Sequence, residues 1–323
     1  MDRRVTFLFS AAVVFALSAP ALAQERGAGL AALLGRAEPG VEARVTALPG
    51  ESGGTPSVVS EEAHGSYVVS RSSSDEWTVL GKAGETELGR TPVVIPESGF
   101  TVPTKLWDLS AGANFSRRLG DRRGWGAGAG VGSASDVPFH SIHETSFSAA
   151  ARYELPSGER NSWVFLLNYS NNRTFLNNVP LPGVAYVVRD PANGLTAAIG
   201  FPFAMIRWKA DEDWTLSASV FGGANWTLEA ARRVAPATLY ARVEREPRQW
   251  LRAERSDNSN RLIYDEKDVR VGARAPLGGR FGIDGSLGWS FDRRFSEARD
   301  ANRSAQRFAL RNAAIASVAL SWR

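Results

Sequence analysis

His140-Ser141-Ile142-His143-Glu144 is the segment whose residue types and spacing come nearest to chemistry. As a metal site it offers two imidazoles and a carboxylate, yet positions i and i+3 meet on one face of a helix and not along a strand. As a hydrolase it offers a serine beside a histidine, which still needs a third orienting group and an oxyanion hole. No acidic partner stands at a suggestive position for that, so the segment reads as a solvated loop. His64, His140 and His143 are the only histidines and cysteine is absent, which removes thiolate nucleophiles and zinc–thiolate sites. No catalytic residue, metal site or cofactor is expected, and the chain is not read as an enzyme.

Two other runs invite a functional reading. Residues 239–270 are dense in charge, with Arg242, Glu244, Arg245, Glu246, Arg248, Arg252, Glu254, Arg255 and Asp257. A solvated β-ribbon projecting from the protein, laced with cross-strand ion pairs of small individual value, accounts for them. The functional alternative is contact with lipopolysaccharide phosphates, which suit the arginine fork. Gly126-Ala127-Gly128-Ala129-Gly130 lacks the helix and lysine of a phosphate loop. Strand glycines that face a lumen and let the strand bend explain it better.

An export signal opens the chain. Asp2-Arg3-Arg4 form a basic lead, residues 5–17 an apolar run, and Ala21-Leu22-Ala23 a small-x-small cleavage site before Gln24. This is a secretory signal peptide over residues 1–23. Its apolar run is too short for a spanning helix, which takes roughly 20 residues. Residues 24–40 read as a periplasmic lead or a small plug segment around 30–34, and 41–323 as the folded unit. Lys+Arg 38 nearly balance Asp+Glu 34, giving a formal charge of +4 with no polybasic tract. Nucleic acid, which asks for a basic face, is therefore not an expected partner.

The elements that must carry these residues are strands. Trp214, Leu216, Ala218, Val220, Gly222, Ala224, Trp226 and Leu228 alternate with Thr215, Ser217, Ser219, Phe221, Gly223, Asn225 and Thr227. A period of two puts the first set on one face and the second on the other. Read as one strand, Trp214 to Trp226 covers about 40 Å at roughly 3.3 Å per residue. A tilt of about 45° projects this onto the ≈25 Å band between the aromatic girdles of an outer-membrane barrel. The same alternation runs through Trp107–Phe115, Trp125–Val131, Phe147–Leu155, Trp163–Tyr169 and Phe281–Phe291. Trp107, Trp125, Trp163, Trp214, Trp226, Trp289 and Trp322 are the expected girdle aromatics.

Short turns at 119–122, 156–159, 209–213 and 276–279 alternate with long polar connections at 136–144, 172–194, 230–260 and 296–304. Outer-membrane barrels show this asymmetry, with the short turns in the periplasm. The expected fold is all-β, an antiparallel transmembrane β-barrel of about 12 strands, with 10 to 14 compatible with the pattern. The strands fall near 41–48, 63–72, 75–83, 104–118, 123–134, 145–155, 161–171, 195–208, 213–229, 261–275, 281–292 and 305–322.

Phe308, Leu310, Ala314, Ala316, Val318, Leu320 and Trp322 form a run that resembles the C-terminal strand of bacterial outer-membrane β-barrel proteins. In those proteins a terminal aromatic is recognised by the barrel-insertion machinery; here Trp322 is penultimate and Arg323 follows. Asn178-Val179-Pro180-Leu181-Pro182-Gly183-Val184-Ala185-Tyr186, with Gly200-Phe201-Pro202-Phe203, is similar to an uncharacterised bacterial family of predicted outer-membrane barrels. That resemblance implies the barrel fold and brings no activity with it. The implied location is the outer membrane. The implied partners are its lipid, lipopolysaccharide and the insertion machinery, with the oligomeric state open.

Three functions from different classes stay open: a passive small-solute channel, a structural or surface-interaction barrel with a filled lumen, and, behind both, an outer-membrane enzyme. A barrel near twelve strands lies between small filled barrels and wide aqueous porins, so strand number does not choose. Charge inside the barrel bears on the choice. A turn centred near Leu277 sets Arg270 opposite Asp284, and a loop centred near residue 298 brings Arg311 to similar height beside Ser286. Such a row either fills the lumen as an ion-pair ladder or leaves an excess of arginine that favours anions.

Overall fold

A sheet whose strands are apolar on one face leaves its edges exposed unless it closes on itself. The computed structural model describes residues 39–50, 55–95, 99–299 and 306–323. Among these, sixteen antiparallel strands close into one barrel. In chain order they are Gly40–Leu48, Val58–Arg71, Asp75–Leu88, Lys105–Arg118, Gly124–Ser135, Ser146–Ser157, Asn161–Ser170 and Leu181–Asp190, then Leu195–Phe201, Phe203–Lys209, Trp214–Phe221, Asn225–Val234, Ala237–Arg245, Arg261–Gly278, Phe281–Ala298 and Ala313–Trp322. The last strand makes the closure: Val318 stands opposite Gly285 on one neighbour and opposite Val45 on the other.

The final strand shows the two faces most plainly. Ala314, Ala316, Val318 and Leu320 are exposed on the outside, whereas Ala313, Ile315, Ser317 and Ala319 are buried toward the lumen. Phe165, Leu167, Ile199, Val271 and Leu287 continue the apolar exterior around the wall.

Val41 pairs with Trp322, so both barrel termini lie at one end, the near end. Every connection there is short: 72–74, 119–123, 158–160, 191–194, 210–213, 235–236 and 279–280. The far end carries the long ones, 49–57, 89–104, 136–145, 171–180, 246–260 and 299–312, together with tight connections at Pro202 and at 222–224.

Sixteen strands replace the expected twelve, and four differences account for the gap. The run 195–208 is a hairpin folded at Pro202, where Ile199 pairs with Ala204. The run 213–229 is also a hairpin, turning through Gly222 and Gly223 at φ 60° and 73°, a conformation that costs glycine little. Trp214 and Trp226 therefore lie on adjacent strands, at opposite ends of the wall. The expected loops 172–194 and 230–260 conceal the strands Leu181–Asp190 and Ala237–Arg245. The last strand is also interrupted: Gln306–Ala309 pairs with Phe281–Ala298 beyond the wall, and Leu310 turns inward to 6% exposure. The expected signal peptide and the plug segment around 30–34 lie outside the described residues.

Candidate functional site

The lumen is the concave site of this fold. One side of it, from Asn225–Val234 round to Phe281–Ala298, is a wall of charge. Glu229 faces Arg242 across the first of these pairs, and Arg242 faces Arg270 across the next. Arg242 reaches Glu229 at 2.6 Å; Arg274 spans from Glu229 at 2.6 Å to Asp284 at 3.0 Å. The Tyr240 hydroxyl donates to the other Asp284 oxygen at 2.7 Å, and the Arg274 guanidinium stacks on the Tyr240 ring at 4.1 Å. One level farther out, Arg270 pairs with Glu244 and Asp268, and all three are nearly buried. Above them Ser290 and Tyr264 both donate to Glu266, and Arg293 donates to the Tyr264 hydroxyl.

These side chains face inward because of strand parity. Val243, Val269 and Val271 take the odd positions and the outer surface, leaving Arg242, Glu244, Asp268 and Arg270 to the lumen. Charges packed this densely hold together because each carboxylate has a cation beside it, since a buried unpaired charge is costly. Similar pairs recur round the barrel, Glu42 with Arg44 at 2.7 Å, Asp108 with Lys82 at 2.6 Å and Glu154 with Arg189 at 2.9 Å. Glycines make room for other lumen side chains: a Cβ on Gly128 would sit 1.8 Å from Asn114 Oδ1, and one on Gly126 3.1 Å from Arg152 Nε.

The strands that adjoin this wall, from Asn161–Ser170 round to Trp214–Phe221, form an apolar shelf. Val164, Ala185, Val187, Ala198 and Phe203 are buried under Leu166, Met205 and Phe221. Phe175, from the far-end loop 171–180, lies edge-on against Phe221 at 5.3 Å.

At the far end the lumen is narrowed by the protein's own loops. Residues 89–95 and 99–104 fold back over the mouth, with a two-residue ladder between Val94–Ile95 and Phe100–Thr101. Of these, Val93, Ile95 and Val102 are at most 3% exposed, packed on the inward residues Leu48, Val58, Leu88, Leu106 and Ile315. Trp250, from Arg248–Trp250, and Leu310 join the same cluster. Loop 246–260 is tied down as well: the Leu251 N–H donates to Ala134 O at 2.6 Å, and the Ala253 N–H to Asp136 Oδ1 at 2.8 Å.

Several expected positions come out differently. The expected row does not assemble: Asp284 stands opposite Arg274 and Arg270 opposite Gly288, because the hairpin turns at 279–280 with a bulge at Pro276/Gly278. Arg311 lies beyond the far end of the last strand, its carbonyl accepting from Arg293. Residues 239–270 do not project as a ribbon; they contribute two strands to the wall and a folded-down loop between them. In the histidine segment the Ser141 hydroxyl donates to Glu144 at 2.5 Å, and Glu144 also meets Arg255. Neither arrangement pairs the serine with an imidazole.

Of the expected girdle residues, Trp163, Trp214 and Trp322 are exposed near the near end, where Trp125 packs on Phe115. Trp107 and Trp226 lie toward the far end, and exposed Trp289 is level with Ala314. Exposed Trp77 and Trp208 were not among the expected set. Nor were Glu229, Tyr240 and Arg274, or the mouth residues Ile95 and Phe100.

No family model matches. No curated protein matches either. Among solved structures, the chain is similar to the COG4313 outer membrane channel from Pseudomonas putida F1, at 10% identity and TM-score 0.35, over 88% of this chain and 93% of that one. It is also similar to the Pseudomonas putida toluene transporter TodX, at 10% and 0.31 over 88% of each chain. OmpT of Vibrio cholerae matches at 8% and 0.28, over 88% of this chain and 97% of that one. These scores are too low for the likeness to carry a functional argument.

Proposed function

We propose that this chain is an outer-membrane barrel acting as a passive channel for small polar solutes, with its extracellular mouth narrowed by its own loops. On this reading the near end is periplasmic and the far end extracellular, as the short and long connections imply. The carrying observation is the strand number. Eight strands leave an interior that side chains fill, whereas sixteen leave an aqueous channel. Lumen side chains remain open to water accordingly: Asp108 is 37% exposed, Arg189 39% and Arg274 35%. A specific observation favours a filled barrel instead. The apolar cluster at the mouth, centred on Ile95 at 0% exposure, is packed like a protein interior.

Liposome swelling separates the two. Vesicles carrying the folded protein should swell in an isosmotic solution of a small sugar, and faster when residues 91–102 are replaced by a short Gly-Ser linker. Absence of swelling with both proteins would overturn the channel reading and leave the filled barrel.

A further inference from the structure

We propose that the periplasmic mouth of this channel selects for small anions through a ring of lumen-facing cations, Arg118, Arg207, Lys209 and Arg233. The inference rests on the channel reading above and adds a class of solute to it. Arg207 lies between Thr196 and Ser217 on its two neighbours, Lys209 opposite Thr215, Arg233 opposite Thr238 and Arg118 opposite Gly124. Strand parity turns all four inward, because Ile206, Trp208 and Val234 take the outer positions beside them and are exposed there. All four lie within the last three residues of their strands, at the near mouth.

Two features separate these four from the other lumen charges. Among the described residues none of them has an ion pair or a hydrogen-bonded acid, and all are exposed. The neighbouring lumen carboxylates are already taken, Glu154 by Arg189 at the same mouth, and Asp284 by Arg274 and Glu244 by Arg270 farther in. The interior is thus close to neutral, and the excess cation sits at one mouth. Opposing charge comes from the near-end turns, Asp121 and Glu159 in two of them and Asp211, Glu212 and Asp213 in the one after Lys209. Asp211 is held below the usual carboxylate range by the backbone N–H groups of Trp214 and Asp213, so it is an anion committed to its own turn. These acids lie past the strand end, outside the ring that a permeating ion must cross. Rings of charged side chains set ion preference in pores.

The test is the reversal potential of the full-length protein in planar bilayers under a potassium chloride gradient, with gel mobility before and after heating as the folding check. The wild type should prefer chloride. Arg207→Ser/Lys209→Ser/Arg233→Ser should lower the anion-over-cation permeability ratio by about two- to threefold near 0.1 M salt, the scale set by three charges about 10 Å from the ion in water at one Debye length. Arg207→Gln alone should give a smaller shift of the same sign. Arg117→Ser is the control, because Arg117 faces outward and pairs with Asp75 at 2.8 Å; it should leave the ratio unchanged. A conducting wild type without anion preference, an unchanged ratio in the triple variant, or an equal drop with Arg117→Ser overturns the anion assignment while the channel stands. No conductance in any variant overturns the channel reading itself.

Discussion

The Arg252 guanidinium lies 3.7 Å from the centre of the Phe100 ring, joining the loop that carries Trp250 to the hairpin that narrows the far mouth. Arg252 also reaches Glu297 at 3.3 Å, so the contact anchors both loops to the longest strand pair of the barrel. A cation over an aromatic face is worth up to about 2 kcal/mol when desolvated. The apolar cluster beneath it contributes more, because fully burying an isoleucine or leucine side chain gains about 1.5–3 kcal/mol. The narrowing is thus built from packed side chains.

Ile95→Asp should release the hairpin without unfolding the wall. Ile95 is fully buried in an apolar cluster, where a carboxylate is costly. Limited proteolysis of the folded protein should then cut within 89–104 at a rate at least tenfold above wild type, while heat-modifiable mobility persists. Unchanged protection would mean that the hairpin is held by something other than this cluster.

Val318→Asp and Leu320→Asp should impair insertion, whereas Ser317→Asp should not. Val318 and Leu320 are 53% and 44% exposed on the apolar exterior. There a carboxylate should cost up to about 2 kcal/mol, somewhat less than arginine or lysine at the bilayer midplane. Ser317 faces inward, with Arg44 Nη1 3.4 Å from its hydroxyl, so an added carboxylate meets a cation. Folding yields measured by gel mobility should rank the three; equal losses would refute the assignment of faces.

Gly128→Ala should destabilise the barrel by about 1 kcal/mol, the scale of a modest steric clash in a packed interior. The added Cβ would press on Asn114 Oδ1. Adding Asn114→Ala should restore most of the loss. Urea unfolding of the refolded protein reads both, and a double variant no better than the single one would reject the clash.

Arg274→Met should weaken the wall by roughly 1–3 kcal/mol, the cost of leaving acceptors without their charged donor. It strands Asp284 with only the Tyr240 hydroxyl, while Glu229 keeps Arg242. Asp284→Asn should therefore recover part of the loss in the Arg274→Met background, and Glu229→Gln less. Equal recovery by both would mean that the two acids depend equally on Arg274.

The closed antiparallel barrel was legible in the alternation; its strand number was not, for a physical reason. In an antiparallel hairpin the numbers of paired residues have a constant sum, and when that sum is even the odd–even pattern runs through the turn unbroken. Val220 pairs with Trp226, an even sum, so 213–229 reads as one strand although Gly222-Gly223 turns it back. The hairpin at Pro202 left a trace, because its sum is odd and the apolar parity flips from Ile199 and Phe201 to Ile206 and Trp208. Ala237–Arg245 was hidden in a different way. Arg242 and Glu244 look like loop charges, yet they are the lumen half of a strand whose other half is Leu239, Ala241 and Val243. The inward-folded hairpin 89–104 left no periodic signal, since its apolar residues answer to the mouth of the barrel and not to a sheet face. Register, and with it the pairing of Asp284 to Arg274, turned on the hairpin reversing at 279–280 and not near Leu277, and on a one-residue bulge near Pro276 that no pattern of residue types marks.

Single-channel recording of the refolded protein in planar bilayers tests the central claim most directly, because it asks whether sixteen strands enclose a water-filled path past the folded-in loops. The account predicts discrete conductance steps for the wild type and larger steps when residues 91–102 are replaced by a short Gly-Ser linker. Silence from both proteins, with folding confirmed by heat-modifiable mobility, would contradict it.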